Sequence, residues 1–118
     1  MQLVNSKETH EFTYPDVQDP KPVFVVKKLS YGEVSSIGDS ISLVDDKNRI
    51  MYLGGTSSRL KIKYSLVSWR NVTDETGKEA VCNDVNKDKL PPDVANWLVR
   101  QIDKLNGLSG IPDEESKN

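Results

Sequence analysis

The chain has 118 residues, 36% apolar and 29% charged, with 16 basic and 18 acidic side chains and a formal net charge of −2. That length suits one domain, and charges of both signs are interspersed, so no single-signed field exists to hold a polyanion and nucleic acid is not an expected partner. A lone cysteine, Cys82, cannot form an internal disulfide, which fits a reducing compartment, and no stretch approaches the roughly 20 apolar residues of a membrane span. Residues 1–7 carry no apolar run of signal-peptide length.

Residues 1–21 are polar and without periodicity, and Pro15, Pro20 and Pro22 oppose a helix, so the segment reads as a flexible arm. The compact domain is expected over 22–109. Val23-Phe24-Val25-Val26 is β-branched and aromatic, the composition of a buried strand. Ser30-Tyr31-Gly32-Glu33 spells a capping box, with Leu29 and Val34 at the two staple positions. Val34, Ile37 and Ile41 follow at helical spacing. Gly38 offers a stop, which would leave Ile41–Val44 and Ile50–Leu53 as a hairpin around Asp45-Asp46-Lys47-Asn48.

Gly54-Gly55 breaks the chain, and Thr56 is the expected N-cap of the next element. Over 57–68 two periods compete. Leu60, Ile62, Tyr64 and Leu66 alternate as in a strand, whereas Ile62, Leu66 and Trp69 fall at i, i+4, i+7 as in a helix. The capped start and the length favour helix. Asp74-Glu75-Thr76-Gly77 is a turn between short strands over Asn71–Thr73 and Glu79–Cys82.

Pro91 and Pro92 suit a helix first turn, and Asp93 complements its positive end. Val94, Trp97, Leu98, Ile102 and Leu105 form one stripe, with Asn96, Arg100, Gln101 and Lys104 opposite. Lys104 and Gly107 mark the ending. Residues 110–118 read as a disordered acidic and polar tail. The sum is an α+β single domain of about three helices and a few short antiparallel strands.

The chemistry-bearing residues are sparse. His10 is the only histidine and reads as solvated. With one His and one Cys, a metal site lacks converging ligands, and neither a metal nor any other cofactor is expected. Cys82 reads as a small buried hydrophobe. Asp45, Asp46 and Asn48 lack the glycine and distal glutamate of a calcium loop. Gly54–Ser58 lacks the Gly-Lys-Ser/Thr ending of a phosphate loop, and Arg59, Lys61 and Lys63 read as a solvated helix face. The sequon at Asn71 reads as chance. No proton-transfer groups cluster in sequence, so no enzymatic activity is expected, and binding of another protein is. Trp69 and Trp97 read as core anchors, with Trp97 alternatively a hot spot on a partner surface.

The order of Leu29-Ser30-Tyr31-Gly32-Glu33, then Leu66-Val67-Ser68-Trp69-Arg70-Asn71-Val72, Asp74-Glu75-Thr76-Gly77-Lys78-Glu79, Leu90-Pro91-Pro92-Asp93-Val94 and a polar ending at Lys117-Asn118 resembles the small tail assembly chaperones of bacteriophages and prophages. Two positions depart from that pattern: Ser68, where glycine is frequent, and Val81-Cys82, where Pro-Phe is frequent. The resemblance covers most of residues 20–118. It implies a non-enzymatic role in tail morphogenesis within the bacterial host cytoplasm. The implied partners are the tape measure protein and tail tube subunits, with self-association beside them. Trp69, Trp97, Arg100, Gln101 and Lys104 are the partner-binding residues that this expectation selects. The rival readings are a structural virion component, such as a connector or minor tail protein, and a small nucleic-acid-binding regulator using Arg59, Lys61 and Lys63.

Overall fold

The computed structural model describes residues 1–44, 47, 48, 50–52 and 54–108. The acidic pair Asp45-Asp46 of the expected turn and the expected tail over 110–118 lie outside the described residues. Among those described, the elements run β1 (Thr9–Thr13), β2 (Val23–Lys27), α1 (Tyr31–Ile41), β3 (Ser42–Val44), β4 (Ile50–Tyr52), α2 (Gly54–Ser65), β5 (Leu66–Arg70), α3 (Asp84–Lys87) and α4 (Pro92–Leu105). The fold is α+β, with a three-stranded antiparallel sheet in the order β1-β2-β5 and a separate β3–β4 hairpin.

The apolar run over Val23–Val26 forms the central strand because both of its flanks are then paired. Phe24, Val25 and Val26 are all buried there. Alternation sends Phe24 and Val26 to the inner face, where Leu66, Trp69, Ile37, Ile62, Leu98 and Ile102 complete one core with the helices. The outer face carries Thr9, Glu11, Thr13, Ser68 and Arg70, all exposed. A bidentate Arg70–Glu11 pair, with N···O distances of 2.9 and 3.3 Å, joins the two flanking strands across β2 on that face.

The arm expected over 1–21 is corrected in its second half. Thr9–Thr13 pair residue for residue with Lys27–Val23, and Tyr14 continues the ladder through its N–H to the Pro22 carbonyl at 2.9 Å. Proline content excluded a helix correctly but says nothing against a strand. His10 therefore sits half-buried on the inner face of β1, with Nε2 3.6 Å from a Glu8 carboxylate oxygen, rather than solvated in an arm.

The capping box forms as expected. Glu33 N–H donates to Ser30 Oγ at 3.2 Å, and Ser30 N–H donates to Glu33 Oε1 at 2.9 Å. The stop at Gly38 does not occur, since α1 runs to Ile41. A mid-helix glycine costs only about 0.5–1 kcal/mol, too little to end a helix whose Ile37 is buried in the core. The hairpin then follows directly.

Over 57–68 the favoured helix forms but stops short of Leu66, and Leu60, Ile62 and Tyr64 are helical despite their strand-like alternation. The helix starts two residues before Thr56, at Gly54, and ends at Ser65; Leu66 begins a strand. The helix-like spacing of Leu66 and Trp69 has another origin. Val26 pairs with Leu66 but Val25 pairs with Ser68, so Val67 is an extra residue in β5. That bulge returns Trp69 to the inner face three residues after Leu66.

The strands expected over Asn71–Thr73 and Glu79–Cys82 shrink to one bridge, Thr73 to Glu79, around the Asp74–Gly77 turn. The four-residue α3 was not anticipated. Its signal was Asn83, whose side chain accepts from Asn86 N–H at 2.8 Å as an N-cap. Helix α4 matches its expected span. It closes with Leu108 N–H on the Asp103 carbonyl and Gly107 N–H on the Lys104 carbonyl, with Gly107 at φ +69°. This is the paired ending that a left-handed glycine permits.

Candidate interaction surfaces

The two tryptophans converge on one ring. Phe24 lies 6.3 Å from Trp69 in a perpendicular arrangement and 6.0 Å from Trp97 at a 54° tilt. Trp97 also meets Tyr14 edge-on at 5.2 Å. Trp69 is only 7% exposed, and its indole N–H donates to the Ala80 carbonyl at 2.8 Å. It is a core anchor that ties the 71–82 loop to β5. Trp97 is half-buried beneath Tyr14.

Arg100 and Lys104 are exposed on α4, and Gln101 is half-buried. The five residues selected from sequence thus do not form one patch. Burial pushes the Tyr14 phenol above its ordinary value, with Asp93 and Asp16 adding to the effect and Arg100 opposing it. The α4 face carrying Arg100 is therefore in the electrostatic environment of β1's continuation.

The basic cluster is placed as expected only in part. Arg59 grips Asp88 with two bonds, 3.0 and 2.8 Å. These hold the Asp88 carboxyl below its ordinary value. Lys61 lies 2.9 Å from Asp103 on α4, with only 16% and 20% of the two side chains exposed. The Asp103 oxygen lacks hydrogen-bond geometry, so this pair acts through charge alone. Arg59 and Lys63 stay exposed as a solvated face requires, whereas Lys61 is drawn into an ion pair between α2 and α4; the pairing of Arg59 and Lys61 spends charge that a nucleic-acid surface would need.

The surface relief lies around α3. Between α2 and α4 runs an open groove of about 530 Å³. Ile62, Leu90 and Ala95 supply its apolar lining, and Arg59, Lys87 and Asp88 are the charges beside it. A second depression of about 230 Å³ is lined by Trp69, Val72, Ala80, Leu90, Thr73 and Lys89, among others. Val81 and Val85, next to and on α3, are 68% and 65% exposed. Such a corner, apolar at its floor and charged at its rim, suits an amphipathic segment laid into it.

Cys82 is half-buried, and burial raises its thiol above the ordinary value, which suits a packing residue. The Asn71 side chain donates to the Lys21 carbonyl at 3.0 Å, so the sequon amide links the end of β5 to the lead-in of β2. Among the described residues no group of three or more His, Cys, Asp or Glu gathers as a metal cage, and no helix is long and apolar enough to cross a membrane. No protein-family model, curated protein or solved structure matches the chain.

Proposed function

We propose that the chain is a non-enzymatic binding module that receives an amphipathic helix in the groove between α2 and α4. We further propose, from the order of its sequence motifs, that it is a phage tail assembly chaperone acting in the bacterial host cytoplasm. Its partners on this reading are the tape measure protein and tail tube subunits. The observation that carries the binding proposal is the groove itself, with half-buried Leu90 and Ala95 over a floor of buried Ile62, between the Arg59–Asp88 clamp and the start of α4. A long helical protein with apolar faces aggregates unless those faces are covered, and a groove of this chemistry covers them.

The test is co-expression with the tape measure protein of the same gene cluster. The reading predicts a soluble tape measure only when this chain is present; equal solubility without it rules the reading out. A retained virion component is the rival, and mass spectrometry of purified particles separates the two, because a chaperone is absent from them.

A further inference from the structure

The sheet has two edges, and they differ. On one side β5 carries the bulge at Val67, a feature that twists an edge away from further pairing. On the other side β1 is regular over all five residues and contains no proline. Its ladder to β2 uses alternate residues. Tyr14 N–H bonds the Pro22 carbonyl, so Phe12 and His10, two and four residues earlier, also point their backbone groups at β2. The N–H and C=O groups of Thr9, Glu11 and Thr13 therefore point away from the sheet.

The sequence of this edge is close to palindromic. Thr9-His10-Glu11-Phe12-Thr13 has threonine at both ends, a ring-bearing residue on either side of the centre, and Glu11 in the middle. Laid antiparallel against itself about Glu11, it pairs Thr9 with Thr13, His10 with Phe12 and Glu11 with Glu11. Threonine pairs are favourable cross-strand neighbours, and directly opposed like charges are not. The objection at Glu11 is met within each chain, because Arg70 holds that carboxylate through two bonds and lowers its pKa. Across the axis the charges run Arg70, Glu11, Glu11, Arg70, so each of the two facing carboxylates is neutralised by the arginine of its own chain. The same pairing covers Phe12, which is only half-buried in one chain.

We propose that the free edge of β1 is a two-fold interface between two copies of this chain, giving a continuous six-stranded sheet in the order β5-β2-β1-β1-β2-β5. The three outward positions exchange about six backbone hydrogen bonds across the axis. This inference is independent of the groove, which lies on the helical side.

Sedimentation of the full chain across a wide dilution series tests it. A mass twice that of the monomer at high concentration is expected, falling to one on dilution. Glu11→Pro removes an outward N–H without touching the ladder to β2, and Thr9→Glu with Thr13→Glu sets acids opposite one another; both are expected to stay monomeric with unchanged circular dichroism. Register is read in a Cys82→Ser background. Glu11→Cys places two thiols on the axis at a Cα separation of about 5.5 Å and is expected to crosslink to itself, whereas Thr9→Cys is not. A wild-type chain that is monomeric throughout overturns the interface, as does a dimer that Glu11→Pro and the double glutamate variant leave intact.

Discussion

The Ser65 hydroxyl donates to the Lys27 backbone carbonyl across 2.6 Å, and Ser65 is completely buried. Ser65 is the last residue of α2 and Lys27 the last of β2, so one hydrogen bond joins the point where helix becomes strand to the end of the central strand. Replacing Ser65 with Ala leaves the Lys27 carbonyl without this partner. We expect a loss of about 1–3 kcal/mol in urea unfolding. A loss near zero would mean that the junction is held by packing alone.

Tyr14 is the residue that turns a polar lead-in into part of the core. Tyr14→Ala removes a ring that is 5% exposed and packed on Trp97, and a cost of about 3 kcal/mol is expected. In a Trp69→Phe background, iodide should quench Trp97 more strongly after this change. Unchanged quenching would show that the ring does not cover the indole in solution.

Two glycines carry opposite predictions. Gly38 lies inside α1, where an added Cβ meets nothing within 4 Å, so Gly38→Ala should stabilise by about 0.5–1 kcal/mol. Gly107 sits at φ +69°, so Gly107→Ala should cost about 1–2 kcal/mol. Thermal unfolding of the two variants checks both signs, and shifts in the same direction would contradict the helix boundaries.

The exposed ion pairs predict an acid dependence. Arg70 holds Glu11 below its ordinary value of 4.5, first through the hydrogen bonds and then through charge. A carboxylate with a depressed folded pKa adds stability above its unfolded pKa, and loses it as pH falls through the folded value. Glu11→Gln should therefore be less stable than wild type at neutral pH, with the gap closing below pH 4.5. A gap that is constant with pH would show that Arg70 does not discriminate the charged form.

Much of the fold was legible because some residues leave few choices. Ser30 with Glu33 fixes the start of α1, and Pro92 with Gly107 brackets α4. The rest depended on partners distant in sequence. The spacing of Leu66 and Trp69 fits a helix locally, and only pairing with Val25 and Val26 makes it a bulged strand. Residues 9–13 look featureless until β2 offers them a ladder. The groove was the least legible part, since Ile62, Leu90 and Ala95 come from three segments and meet only after α2 packs on α4. Trp69 is a core residue, as its place on an apolar face suggests, although an aromatic there reads alike whether the core or a partner covers it.

Binding to the tape measure protein, read with the groove open and then blocked, bears most directly on the whole. Gly55 and Asn96 line the groove from its two helices; both are exposed, and a Cβ at Gly55 meets nothing within 4 Å, so Gly55→Arg with Asn96→Arg fills the groove without entering the core. The account predicts co-purification of the tape measure protein with the wild-type chain and loss of at least tenfold in affinity, about 1.4 kcal/mol, with the folded double variant. Equal affinity for both chains, or none for the wild type, would contradict it.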